Sequence, residues 1–177
     1  MREWSIQVPG LPSTVEELVA LRDRIATTPE GGAVIMVLSL LAYAQDAALG
    51  TKFLTVAIEA KQLADGPDGY KGKQPSRMAL QCFRDRIGRA PHIARSYVQG
   101  TSPANGYALP PAPWTIAGRE QPGDVQPDRV KTFVRSSGAD SPRPVLLLKN
   151  DKGLWKANSW SSLEVGVRAP AGPSDDI

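Results

Sequence analysis

The sequence predicts an α+β fold in which about four N-terminal helices pack on a C-terminal antiparallel β-meander. Two observations carry this prediction. Residues 13–88 hold apolar side chains at helical spacing between start and stop signals, whereas residues 89–169 hold short apolar runs separated by turn formers. The clearest hairpin joins residues 145–149 to residues 154–158 through Asn150-Asp151-Lys152-Gly153, because Gly153 accepts the positive φ that a tight turn needs.

A short strand and a helix are predicted first. Residues 4–8 favour a strand, which Pro9-Gly10 ends. Ser13 and Glu16 have the spacing of a capping box, in which each side chain binds an amide at the start of a helix. The first helix is therefore predicted to begin at Ser13 and to reach about Ala26.

The second helix is predicted to be the centre of the fold. Thr28 can cap it, and Pro29 suits its first turn. Residues 33–44 are apolar nearly all round, which is typical of a helix contacted on several sides. Its predicted end is Leu49, with Gly50 as the stop signal.

Two further helices are predicted before the sheet. Thr51 can cap a third helix over residues 52–64, and a fourth follows over residues 75–87. Residues 65–72 between them are rich in Asp, Gly and Pro, which predicts a loop.

Beyond residue 90 the pattern is that of strands and turns. Residues 91–98 are compatible with a short helix or a strand, because so short a run has no decisive periodicity. The remaining segments are assigned from turn formers, prolines and β-prone residues: turns at 99–107, an extended segment at 110–113, a strand at 114–118, a loop at 120–128 and the meander at 129–169.

Length, composition and charge limit the possible functions. A chain of 177 residues is typical of one domain, predicted over residues 1–169 with a flexible tail at 170–177. The net charge of +3 is spread without a basic stripe, so nucleic-acid binding is not expected. One cysteine, Cys82, and one histidine, His92, leave no disulfide, no zinc set and no expected cofactor.

Membrane insertion and secretion are not expected either. The longest apolar run, residues 33–44, is shorter than the roughly 20 residues that span a bilayer. No apolar segment of signal-peptide length opens the sequence, so a cytoplasmic location is expected.

Several segments resemble a family of uncharacterised bacterial proteins, known as a domain of unknown function. They are residues 28–31, 95–107, 136–144 and 155–163, and the resemblance covers about residues 14–169. It implies a bacterial source and a single α+β domain, but it carries no activity, cofactor or catalytic residue. A weaker likeness, through Gly153-Leu154-Trp155-Lys156, is to the cone-shaped folds of the nuclear-transport-factor and ketosteroid-isomerase type.

The serine cluster at residues 136–141 has two interpretations. Ser136, Ser137 and Asp140, with Arg135 and Arg143 beside them, are suited to an anion-binding nest. The same residues are typical of a hairpin loop whose side chains cap backbone groups, and this second interpretation is favoured.

A second candidate set is Arg95, Tyr97, Asn105 and Tyr107. These residues could line a groove for a peptide or a small ligand if the loop at 101–107 is ordered. Alternatively, Asn105 forms an Asx turn with Gly106 and both tyrosines lie at the edge of the core. Trp160, flanked by serines, is the best surface aromatic.

Catalytic constellations receive little support. A serine nucleophile would need His92 as its base and Asp140 to orient the imidazole, and the sequence has no Gly-x-Ser-x-Gly elbow. Cys82 lies on the apolar side of its predicted helix, where a thiol is usually inert.

The leading functional hypothesis is a non-enzymatic module that binds another protein, as an adaptor, a regulator or an immunity-type partner, or that binds a second copy of itself. The predicted binding face is the side of the sheet that bears Tyr97, Tyr107, Ser136, Ser137, Asp140 and Trp160. The alternative is a small-molecule-binding or hydrolytic protein. It predicts a pocket of at least roughly 300 Å³ between helices and sheet. The polar groups assigned to this pocket are His92, Arg95, Tyr97 and Asp140.

Overall fold

Residues 1–172, which a computed structural model describes, form a five-stranded antiparallel sheet, a small two-stranded hairpin and a layer of helices. The predicted tail at 170–177 lies largely outside the described residues. The elements in chain order are β1 Arg2–Val8, α1 Val15–Ile25, α2 Pro29–Gln45, α3 Ala47–Ala57, β2 Leu63–Tyr70, β3 Lys73–Pro75, α4 Arg77–Cys82, α5 His92–Arg95, β4 Trp114–Val125, β5 Arg129–Val134, β6 Arg143–Lys149 and β7 Trp155–Ser159. A π-helical turn, Phe83–Gly88, follows α4, and short 3₁₀ turns lie at Ala60–Gln62 and Ser161–Glu164. The α+β prediction is confirmed.

The main sheet has the strand order β1-β4-β5-β6-β7. Strands β5 to β7 form the predicted meander, β4 extends it, and β1 joins the sheet at its edge by pairing Trp4 with Gly118. The Trp4 indole crosses Gly118 and donates from Nε1 to Thr132 Oγ1 over 2.8 Å. A Cβ at Gly118 would lie 2.3 Å from the Trp4 ring, so this crossing requires glycine. The Ala112–Pro113 peptide bond ahead of β4 is cis.

Helix α2 is the centre of the core, as its all-round apolar sequence predicts. Every residue from 31 to 43 is buried, because the helix packs on β5, β6 and β7 and also against α1 and α3. Gly32 brings it close to the sheet, where a Cβ would lie 2.6 Å from the Trp155 carbonyl oxygen. Each buried aliphatic side chain contributes roughly 1.5–3 kcal/mol, so this helix supplies much of the apolar stabilisation.

The predicted boundary between the second and third helices is wrong. Asp46 ends α2 and caps α3, with its carboxylate accepting the amides of Ala48 and Leu49 at 3.0 and 3.3 Å. Gly50, predicted as a stop, lies inside α3. A Cβ there would come within 2.1 Å of Tyr43 Cα, so glycine allows the two helices to pack closely.

The capping box of the first helix is displaced by one residue. Thr14, not Ser13, is the N-cap and accepts the Glu17 amide at 3.2 Å. Glu17 in turn accepts the amide of Ser13, the residue before the cap, at 2.8 Å, so the return bond of the glutamate goes to an amide one position earlier than in a standard capping box.

The predicted loop at 65–72 is also wrong, since most of it belongs to the hairpin of β2 and β3. Helix α3 ends at Ala57 instead of residue 64. Ile58 then forms a parallel bridge with Ala157, and the Glu59 amide donates to the Ala157 carbonyl over 2.8 Å. The edge of the main sheet therefore diverts the chain before the helix can continue.

Three shorter segments complete the layer. The predicted fourth helix exists as α4, capped by Ser76, and continues as the π-helical turn. Residues 92–95 are helical, which decides the open assignment of residues 91–98. Strand β4 reaches Val125, so the predicted loop at 120–128 is partly strand.

Candidate functional site

The structure places the two tyrosines of the predicted recognition set in the interior. Tyr97 and Tyr107 are 1% and 0% exposed. The Tyr97 hydroxyl donates to the Leu163 carbonyl, and the Tyr107 hydroxyl donates to the Arg168 carbonyl, each over 2.6 Å. Burial raises the pKa of both phenols. The expectation that these tyrosines belong to an exposed face is therefore corrected.

Asn105 organises its own loop. Its Oδ1 accepts the amides of Ser102 and Ala108 at 3.0 and 3.3 Å, and its Nδ2 donates to the Gly100 carbonyl over 3.1 Å. These bonds match the Asx-turn interpretation, because each polar atom of the side chain has a backbone partner within the loop.

Ser136 and Ser137 line an open cavity of about 390 Å³ together with Ser96, Gln99 and Arg135. Their hydroxyls already have partners. Ser136 donates to Ser96 Oγ over 2.7 Å, and Ser137 Oγ lies 2.8 Å from Thr101 Oγ1. Ser136 Oγ also accepts the Gly138 amide at 3.3 Å, and this bond to the backbone fits the loop-capping interpretation better than an anion nest.

The remaining predicted residues do not converge on this cavity. Asp140 forms an exposed ion pair with Arg168, and Arg143 Nε donates to the Ser162 carbonyl over 2.8 Å. His92 packs its ring against Tyr107 at 5.2 Å. Tyr97 contributes to the cavity, but the residues that line it include neither His92 nor Asp140. The structure therefore does not assemble the predicted histidine-based set there.

Trp160 belongs to a different cavity, which we call the Trp160 pocket. It has a volume of about 330 Å³ and lies between α4 with its π-helical turn and the end of β7. Its main lining residues are Met78, Cys82, Arg86, Asn158, Trp160 and Glu164. Met78 is 77% exposed, whereas Trp160 is partly buried and packs on Phe83. Apolar and polar groups thus meet in one concavity.

Glu164 is the most unusual group in the pocket. Its side chain is only 2% exposed, and its Oε2 lies 3.4 Å from Arg86 Nη1. The buried Oε1 has no hydrogen-bond partner. Burial raises the pKa of this carboxyl to about 7, and Arg86 only partly opposes the shift.

The family of the chain is shown by its sequence. The model of a domain of unknown function, DUF6935, matches residues 10–171. The chain belongs to this family. No curated protein and no solved structure matches the chain. The predicted family resemblance is confirmed, and a bacterial source stays a prediction.

Of the residues that line the Trp160 pocket of this DUF6935 domain, only Trp160 was among the candidates predicted from the sequence. Glu164 and Arg86 were missed, because 78 residues separate them and each resembles an ordinary surface charge in sequence. Met78 was not among the candidates either, and the structure exposes it. No local signal could have found the pocket, since its walls come from elements that meet only in the folded chain.

Among residues 1–172 of the DUF6935 domain, no three His, Cys, Asp or Glu side chains are grouped as metal ligands would be. Within the same residues, no helix has the length and apolar character needed to cross a membrane.

Proposed function

We propose that this domain is a non-enzymatic protein-binding module whose docking site is the Trp160 pocket. The observation that carries the proposal is the exposure of Met78, 77% accessible, beside Trp160 in a concave surface. Large exposed apolar side chains that line a concavity are typical of interaction sites, whereas isolated ones are common on any surface. The occupant we propose is a segment of a partner protein that inserts one large apolar side chain.

The residue types suit such a contact. Trp, Met and Arg are enriched in protein interfaces, and Trp and Arg are frequent among the side chains that dominate binding energy. Trp160 is supported from behind by Phe83, which lowers the entropy lost when a partner contacts it. Met78 is flexible and polarizable, so it can adapt its side chain to the partner.

The size of the pocket favours a side chain over a large metabolite. Its volume of about 330 Å³ lies near the lower end of the roughly 300–1,000 Å³ that ligand sites occupy. A peptide would insert one residue there and lie with its backbone over the polar rim, which Gln62, Asn158 and Ser161 supply.

A displayed library of random peptides, selected on the immobilised domain, tests this proposal. We expect the enriched peptides to share a large apolar residue and to lose binding when Trp160→Ala or Met78→Ala is introduced. Val125→Ala is the matched control, because Val125 is also an exposed apolar side chain, 45% accessible, and does not line the pocket. Peptides that bind Trp160→Ala as well as the parent, or a library without enrichment, would contradict the proposal.

The partner could also be a second copy of the chain. Sedimentation equilibrium of the parent and of Trp160→Ala separates this case, because a dimer through the pocket dissociates in the variant.

We also propose a cytoplasmic location, supported by the unpaired Cys82 thiol.

A second candidate function has one specific observation behind it. Glu164 has a pKa of about 7 in a cleft, and a carboxyl with such a pKa is suited to general acid–base chemistry. A small-molecule-binding or hydrolytic role therefore uses the same pocket. Screening of ester and amide substrates tests it: turnover that Glu164→Gln abolishes would replace the binding proposal.

A further inference from the structure

Glu164 is a buried carboxyl group that lines the Trp160 pocket. Glu120 accepts from Arg2 Nε at 2.7 Å and Glu30 pairs with Arg2 at 2.9 Å; each also has a buried Oε2 without a hydrogen bond, but neither residue lines this pocket. Glu164 has one contact, from Arg86, at the long distance of 3.4 Å. Its other oxygen, Oε1, is buried without any hydrogen bond.

A buried acceptor without a partner destabilises the free protein, and a donor from a ligand would remove that cost. The position of Glu164 in the wall of the Trp160 pocket gives such a donor a route. A charged N–H donor forms a shorter and stronger bond to a carboxylate than a neutral one. Trp160 in the same pocket offers an aromatic ring to which a cation is attracted.

We infer that the bound segment carries a lysine or arginine side chain, which donates from its N–H to Glu164 Oε1 beside the apolar side chain on Trp160. This inference rests on the proposed function, and it specifies the partner's chemistry: one basic residue next to one large apolar residue. The basic side chain enters the pocket and donates a hydrogen bond to the carboxylate oxygen of Glu164 that has no partner within the described domain.

The surrounding charges permit a cation at this position. Arg86 is the one cation that lines the pocket with Glu164, and it occupies Oε2, not Oε1. Arg84 and Arg89 do not line the pocket. Their side chains are 70% and 78% exposed, and both contact Asp85 in the π-helical turn. Solvent screens such exposed charges far more than a buried one.

The groups behind Glu164 come from other elements. The Tyr97 hydroxyl binds the carbonyl of the preceding residue, Leu163, and the Arg143 guanidinium binds the Ser162 carbonyl. Cys82 lines the pocket from α4. None of these contacts uses Oε1, which has no hydrogen-bond partner among the described residues.

The test uses two probes of nearly equal shape, 2-phenylethylguanidinium and 2-phenylethylurea, of which only the first is charged. Both are titrated into the ¹⁵N-labelled domain near pH 8, above the pKa of about 7 of Glu164. Chemical-shift changes at the indole N–H of Trp160 report binding. We expect the guanidinium to bind about tenfold more tightly, because a charge-assisted hydrogen bond is stronger than a neutral one.

Glu164→Gln provides the decisive variant, since it keeps the shape of the side chain and removes its charge. The preference for guanidinium should disappear in Glu164→Gln and should shrink in the parent below pH 7, where the carboxyl gains a proton. Equal binding of both probes to the parent would overturn the inference and leave the proposed docking pocket intact. Binding of neither probe, while Trp160-dependent peptides are still selected, would overturn the inference alone, and the loss of both would overturn the proposed function as well.

Discussion

The ring of Trp160 packs nearly parallel to that of Phe83, with centroids 6.1 Å apart and planes 17° from each other. Phe83 begins the π-helical turn and is fully buried, and its other neighbour is Tyr43 of α2, at 5.9 Å. The wall of the pocket is therefore continuous with the helical core. A change in that core should reach the pocket through Phe83.

Phe83→Ala tests this link. Removing a buried phenyl group costs about 3–5 kcal/mol of the free energy of unfolding, measured by urea denaturation. The same variant should weaken Trp160-dependent peptide binding, because the indole loses its support. Met78→Ala is the contrasting change: an exposed side chain alters stability by only about 0.5 kcal/mol, so its effect should appear in binding alone.

Two glycines of β4 allow a matched test of how closely Trp4 packs on the sheet. A Cβ at Gly118 would lie 2.2 Å from the Phe133 carbonyl oxygen, whereas a Cβ at Gly123 meets nothing within 4 Å. Gly118→Ala should therefore destabilise the domain by about 1–3 kcal/mol through overpacking. Gly123→Ala should change stability by less than about 0.5 kcal/mol. Equal thermal unfolding midpoints for the two variants would show that the Trp4 crossing tolerates a side chain.

Glu164 should make stability fall as pH rises. Its pKa is about 7 in the folded chain and 4.5 ordinarily, so between these values the folded chain holds a proton that the unfolded chain has lost. The stability that this group contributes is complete below about pH 4.5 and lost by about pH 7. Glu164→Gln should remove this slope and be more stable than the parent near pH 8, as urea titrations across the window will measure. Parallel pH profiles would contradict the prediction.

Lys156 should act in the opposite direction at higher pH. Burial lowers the pKa of its ammonium from 10.5 to about 8, with Arg22 and Lys152 adding to the shift. Between these values the unfolded chain holds more protons, so stability should rise with pH. Lys156→Met should abolish that rise in denaturant titrations. The ammonium also donates to the Val56 carbonyl, and methionine leaves this oxygen at the end of α3 without its donor.

Local sequence patterns predicted an element correctly where its own residues contain the cap, turn or apolar pattern that defines it. Helix α2 was predicted from its apolar composition and from Thr28, whose hydroxyl accepts the Gly31 amide at 3.2 Å. The β6–β7 hairpin was predicted from its turn. There Gly153 has φ 79° and donates to the Asn150 carbonyl over 3.1 Å.

Other elements depend on contacts that no local pattern contains. The segment of β2 has the Asp, Gly and Pro of a loop, yet pairing with β3 and packing against α3 make it a strand. Tyr97 is buried because the Leu163 carbonyl, 66 residues later, accepts its hydroxyl. The same reason separates the predicted site residues: Trp160 lies in the pocket, and the tyrosines lie in the core.

The pairing of β1 with β4 has a consequence for synthesis of the chain. Trp4 meets Gly118, so β1 has no strand to pair with until more than a hundred further residues have been synthesised. Helices α1 to α3 contact one another over short sequence distances and can associate earlier. Until then the strand is an unpaired edge with a tryptophan, the kind of segment that nascent-chain chaperones shield from aggregation. Among the described strands, β1 is thus made before the others and is among the last to gain its partner.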